Sequence, residues 1–297
     1  MSEFYYSKKK KKPFILIIFE YIFLFAFSYF VVLPCFIHFS GLENYLLYKP
    51  AIAYQSLLPE LKNKYSEVKI KTKDKQSLYG WYFKPNKNRP TILYFYKTEG
   101  NISNYQKVIS SLVSNGYGLM ALDYRGFGKS TGSPSQEKLY EDSITAYKYL
   151  KEKQKAKNII VYGDYIGSSI ALNLANINPV KAVILQNPFT SVRDIIIEIS
   201  KTAKLSKYPQ VKEVNIRFFQ YLPIWQNFDS TKNLSMLKNR NILLLSSTKE
   251  KEITPLITKY VKDKLKTSEL YFYTSNTNSE INSFKSKLLI FLSQHTK

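Results

Sequence analysis

The chain has 297 residues, 44% hydrophobic and 22% charged, which excludes a wholly disordered polymer and leaves room for one large domain or two small ones. Its single cysteine excludes a disulfide framework and a Cys-rich zinc module, and neither a metal nor a cofactor is expected. Forty-four basic against 22 acidic residues give a formal charge of +22, but only five of the basic residues are Arg (89, 125, 193, 217 and 240). Base readout favours Arg forks, and apart from residues 8–12 the lysines are dispersed. The excess reads as drift in a composition rich in Lys, Asn, Ile, Tyr and Phe, with some attraction to anionic lipid; no nucleic-acid partner is expected.

Residues 8–12 are all Lys, Pro13 follows, and Phe14 to Leu33 form the apolar run FILIIFEYIFLFAFSYFVVL, whose only charge is Glu20. Such a run, at ~1.5 Å rise per residue, spans ~30 Å, the thickness of a hydrocarbon core. A core helix would carry a polar face. A cleavable signal peptide has a shorter apolar region and small residues at its cleavage site, which Val32-Leu33-Pro34-Cys35 lacks. The expectation is a basic tail over 1–13 and an uncleaved signal-anchor, a transmembrane helix, over 14–36, with Glu20 snorkelling toward the Lys end. The next basic residue after the span is Lys49, so the positive-inside rule predicts a cytoplasmic N-terminus and a non-cytoplasmic domain.

One domain is expected over 45–297, in which strand-like and helix-like segments alternate. Val68–Lys71 and Leu78–Phe83 read as a hairpin pair. Thr91–Tyr96, Gly118–Asp123, Asn158–Tyr162, Lys181–Gln186, Asn241–Ser246 and Glu269–Tyr273 read as buried strands. Helical spacing falls over Ile102–Asn115, Ser135–Lys153, Ile166–Ile177, Pro255–Leu265 and from about Glu280, and Ser135 is a candidate cap. The alternation predicts an α/β fold with a mainly parallel sheet covered on both faces. About 204–239 breaks the rhythm, with Pro209, Pro223, Trp225 and Phe228, and reads as a cap inserted over the top of the sheet.

Five of the ten glycines fall at 126, 128, 132, 163 and 167. The first three lie in a loop between strand and helix, but without the spacing of a phosphate-binding loop. Gly163-Asp164-Tyr165-Ile166-Gly167 follows a strand and opens a helix. That is the frame of a nucleophile elbow, a strained turn that needs small residues two positions either side of its apex. The apex is Tyr165 instead of Ser, Cys or Asp.

On these residues the chain resembles the α/β-hydrolase superfamily, and most of all its membrane-anchored serine hydrolases with an N-terminal transmembrane segment. The resemblance extends over about 45–295. It is carried by the elbow frame and Asp123-Tyr-Arg-Gly-Phe-Gly-Lys-Ser130, which resembles the D-Y-R-G-x-G-x-S loop. Tyr140-Glu-Asp142, Asn187-Pro-Phe-Thr-Ser191 and Phe228-Asp-Ser230 support it. The resemblance implies a Ser–acid–His triad in chain order, and the equivalent positions hold Tyr165, Lys251 (flanked by Glu250 and Glu252) and Asn278 or a neighbour. It places the oxyanion donors at the backbone N–H groups of Thr98 and Ile166, although the usual His-Gly is Tyr96-Lys97 here.

A seryl nucleophile needs a base of suitable pKa, and an acid to orient that base. No histidine lies between His38 and His295, so none stands where the triad needs it. His38 is expected at the membrane exit and His295 in an exposed tail. Ser168 and Ser169 read as packing or capping groups of the elbow helix, and Asp123 and Asp142 as structural carboxylates. The expectation is therefore a membrane-anchored pseudo-hydrolase with a binding or scaffolding role, its partners the bilayer and a lipid or acyl ligand; the sequence identifies no protein partner. The alternative is an active esterase, lipase, thioesterase or peptidase with displaced residues, Glu250 or Glu252 supplying the acid.

Overall fold

The computed structural model describes residues 13–33, 35–36, 41–196, 224–236, 241–247, 268–273 and 278–295. Of the expected cap, only 224–236 lies among them. The expected helix at 255–265 and positions 250–252 lie outside the described residues.

The apolar N-terminal run is helical, as α1 (Phe14–Phe27) continued by a π-helical turn (Ser28–Val32). The stretch Phe14–Val32 has a mean hydropathy of 2.4 and none of it is buried against protein. A 19-residue helix of that composition is long enough to cross a bilayer. The run stays helical, its ladder widening to a π turn over Ser28–Val32.

A short helix α2 (Leu42–Leu47) leads into β1 (Lys49–Pro50). The domain then runs through β2 (Ser66–Lys71), β3 (Ser77–Phe83), β4 (Thr91–Phe95), β5 (Glu99–Gly100), α3 (Gln106–Val113) and β6 (Gly118–Leu122). Next come α4 (Gln136–Glu152), β7 (Ile159–Asp164), α5 (Ile166–Ile177) and β8 (Ala182–Gln186). Beyond these lie α6 (Thr231–Met236), β9 (Ile242–Ser247), β10 (Ser268–Tyr273) and α7 (Asn278–Gln294). The helix expected over 102–115 is split: a 3₁₀ turn, Ile102–Tyr105, precedes α3. There the Asn101 side chain accepts from Ser103 N at 3.0 Å and opens a tighter turn first.

The strands form an eight-stranded sheet in the order β10-β9-β8-β7-β4-β6-β3-β2. It is parallel from β10 to β6 and antiparallel at β6–β3 and β3–β2. Every residue of β4, β7 and β9 is buried, as expected of strands covered by helices on both faces. Ser135 caps α4, its Oγ accepting from Lys138 N at 3.3 Å. A separate two-stranded ladder joins β1 to β5, with Lys49 opposite Glu99 and Pro50 opposite Gly100. It ties the segment after α1 to the loop that leaves β4.

The D-Y-R-G loop is held by a buried ion pair. Arg125, 3% exposed, donates through Nε and Nη2 to the two Asp142 oxygens, both at 2.7 Å. Its remaining edge bonds Asp74, with Nη2 to Oδ1 at 3.0 Å. Removing Asp142 strips a buried guanidinium of its bidentate partner, whereas the Lys129–Glu67 pair is more than half exposed on both sides. Chemical denaturation should show Asp142→Ala losing about 3 kcal/mol, and Lys129→Ala less than about 1 kcal/mol. Equal losses would show that Arg125 does not anchor the loop.

Candidate functional site

The elbow forms as the glycine frame predicts. Tyr165 has φ 52° and ψ −118°, a conformation costly for a bulky residue and sustained only by tight surroundings. Those surroundings are backbone. A Cβ on Gly163 would sit 2.2 Å from the Gly167 carbonyl oxygen, and one on Gly167 would sit 2.0 Å from the Phe95 carbonyl oxygen. Phe95 is the register partner of Gly163, so the end of β4 presses on the first turn of α5. Tyr165 N donates to Gln186 O at 3.0 Å, and Ser168 Oγ donates to Gly163 O and Gln186 O, both at 2.9 Å. Ser169 Oγ lies 2.7 Å from Ser230 Oγ. Both serines are fully buried and serve packing, as the sequence implied.

The loop after β4 covers the apex. The Lys97 ammonium lies 5.2 Å from the centre of the Tyr165 ring, within cation–π range. It also pairs with Glu99 at 2.9 Å, and this bond holds the Glu99 carboxyl below its ordinary range. Thr98, an expected oxyanion position, has its carbonyl bonded to Lys49 N at 3.0 Å, and its hydroxyl donates to Leu47 O at 2.8 Å. Ile166, the other, is the first residue of α5 and is buried. Asp164, at the apex flank, has no distinguishing signal in the sequence. It is buried, and its carboxylate contributes, after burial itself, to raising the Tyr105 and Tyr94 phenols.

Where the resemblance puts His-Gly, a tyrosine network stands. Tyr96 is fully buried, stacks on Tyr105 at 4.6 Å and lies 4.8 Å from Tyr124. Its hydroxyl donates to Asp123 Oδ1 at 3.0 Å, and the Tyr124 hydroxyl donates to Tyr96 O at 2.6 Å. Asp123 also accepts from the Tyr54 hydroxyl and from Ile102 N, the latter at 2.9 Å. Burial pushes the Asp123 carboxyl and the Tyr96 phenol up. Asp123 is thus a structural acceptor, as read from the sequence; the tyrosine network itself carried no recognisable spacing.

The other triad-equivalent positions are less informative. Lys251, Glu250, Glu252 and His38 lie outside the described residues, and Asn278 is the first residue of α7. His295 is not an exposed tail, which corrects the expectation. Its ring packs at 4.6 Å on Phe291, with Nε2 3.9 Å from Glu269 Oε1. Strand register carries Glu269 through Leu243 and Ile184 to Tyr162, three residues below the apex. Three inter-strand steps of ~4.8 Å put His295 on the order of 14 Å across the sheet from Tyr165. No group of three or more His, Cys, Asp or Glu among the described residues is arranged to hold a metal ion.

The family described as serine aminopeptidase, S33, matches residues 87–266. Protein bem46 of Schizosaccharomyces pombe is 31% identical over 228 residues, covering 70% of this chain and 72% of that protein. The lysophosphatidylserine lipase ABHD12 of Danio rerio is 35% identical over 125 residues, 38% of this chain and 32% of that protein. An esterase of Pyrococcus furiosus superposes with a TM-score of 0.66 at 19% identity, over 84% of this chain and 99% of that one. The chain belongs to the α/β-hydrolase superfamily.

The close approach at the elbow sets a testable cost. Gly167→Ala forces its Cβ to within 2.0 Å of a backbone oxygen that no rotamer can move. Calorimetry should show a loss of about 1–3 kcal/mol or more, a fall of several degrees in melting temperature. An unchanged melting temperature would mean that β4 and α5 do not press on each other there.

Proposed function

We propose that this α/β-hydrolase member is a membrane-anchored binding module that does not hydrolyse esters or amides. The observation that carries the reading is the apex. The elbow keeps its strained geometry at Tyr165, while the described imidazole, His295, lies on the order of three strand spacings away. A phenol of ordinary pKa near 10 needs a base to become a nucleophile at neutral pH. Lys97, the cation nearest its ring by the contacts described, is itself paired with Glu99 and carries charge of the wrong sign to accept a proton. The zebrafish relative is named a lipase, and Tyr165 stands at the nucleophile position of this chain.

The ligand proposed for the elbow region is a lipid or an acyl chain, and the bilayer is the proposed partner. The apolar helix Phe14–Val32 supports anchoring, and Lys8–Lys12 ahead of it support a cytoplasmic N-terminus with the domain on the other side. The β1–β5 ladder supports delivery from the membrane, because it couples the post-anchor segment to the loop over Tyr165.

Hydrolysis of short-chain esters and acyl thioesters by the full chain in detergent tests the reading. Wild type and Tyr165→Phe should give equal rates, no greater than the ~10³-fold over water that oxyanion donors and binding alone supply. Tyr165→Ser should add nothing, since a hydroxyl without a base remains unactivated. Turnover in the wild type that disappears in Tyr165→Phe would establish the opposite reading, an active hydrolase with displaced residues.

A further inference from the structure

A cavity of about 440 Å³ opens beside α2, lined by Glu43, Asn44, the first turn of α4 (Ser135, Gln136, Glu137), Tyr140, Trp225 and Gln226. Its amides are largely consumed in one another. Gln226 Oε1 accepts from the Tyr48 hydroxyl at 2.7 Å and from Gln136 N at 2.9 Å. Gln226 Nε2 donates to Asn44 Oδ1 at 2.7 Å, and Gln136 Oε1 accepts from Phe228 N at 2.8 Å. Glu43 is the exception. It is only 8% exposed; Oε1 accepts from Trp225 N at 2.8 Å, while Oε2 is buried with no hydrogen-bond partner among the described residues. A buried carboxylate oxygen left without a donor is costly and calls for a cation or a donor from outside.

We propose that this cavity binds an organic ammonium group, with Glu43 as its counter-ion and Trp225 and Tyr140 as aromatic walls. Among the described residues, the lining holds two carboxylates and no Lys or Arg, in a chain whose formal charge is +22. Aromatic faces beside a carboxylate suit an alkylammonium, whose diffuse charge is attracted by ring quadrupoles. A hard divalent cation takes six to eight oxygens, and most of the amide oxygens here are already engaged. An anion on the α4 N-terminus is disfavoured, because Gln136 N and Lys138 N already have acceptors and Glu137 sits in the first turn. The site is separate from the elbow and does not depend on whether Tyr165 turns over substrate.

The ammonium has two possible sources, a lipid headgroup or a free amine. Four residues lie between Phe36 and Gly41, and five Cα steps reach at most ~17–18 Å, so α2 and its Glu43 stay near Phe36, beyond the apolar helix.

The test uses the full chain in a maltoside detergent, which carries no ammonium, titrated with choline and ethanolamine by calorimetry and tryptophan fluorescence. The chain has two tryptophans, and Trp81 is 3% exposed against 58% for Trp225, so a change in emission reports on Trp225. Saturable binding is expected in the wild type. Glu43→Gln keeps an acceptor for Trp225 N, and should weaken affinity at least tenfold with no change in melting temperature. Should that variant fail to fold, Trp225→Leu should weaken choline affinity by about fivefold. In lipid nanodiscs the sources separate. Phosphatidylcholine discs abolish the response to soluble choline if the headgroup already fills the site, and leave it equal to that in phosphatidylglycerol discs if the ligand is a free amine. No saturable binding in detergent, or affinity unchanged in both variants, overturns the proposal.

Discussion

The structure depends on one close approach, the Phe95 carbonyl at the end of β4 against the bare Cα of Gly167 in the first turn of α5. With Gly163 it leaves the residue between them no relaxed conformation, and so holds Tyr165 at positive φ at the top of the sheet. The contact is made by backbone, so it is indifferent to the side chain at the apex. The elbow therefore persists with a tyrosine at its apex.

Around that turn, aromatic side chains pack closely on one another. Tyr96 fills a position where the superfamily resemblance expects His-Gly, and it ties Asp123 to Tyr105 and Tyr124 through a hydrogen bond and stacked rings. Lys97 sits over the Tyr165 ring. Aromatic stacking and buried hydroxyl bonds rigidify such a site and exclude water.

Much of this was legible in the sequence because it rests on backbone needs. The G-x-x-x-G frame, the Asp123–Ser130 loop and the β-branched and aromatic runs at 91–96 and 158–162 each report a local requirement that few residues meet. The bounds of α5, Ile166–Ile177, follow from the elbow on one side and Asn178-Pro179 on the other. What escaped reading was short or non-local. Helix α2 and strand β1 are too brief to show a period, and β1 pairs with β5 some fifty positions away. His295 read as a tail, yet its ring is fixed by Phe291 one turn earlier and by Glu269 across the sheet edge. The cavity at Glu43 unites three stretches, 43–44, 135–140 and 225–226, and only folding brings them together.

The central claim is that Tyr165 is presented but not activated. Its most direct test is intact-mass analysis of the full chain after exposure to a fluorophosphonate, with any adduct located by peptide mapping. An unchanged mass is predicted under conditions that fully label an active serine hydrolase in the same mixture. One phosphonyl group per chain, mapped to Tyr165 or to a hydroxyl beside it, would contradict the account.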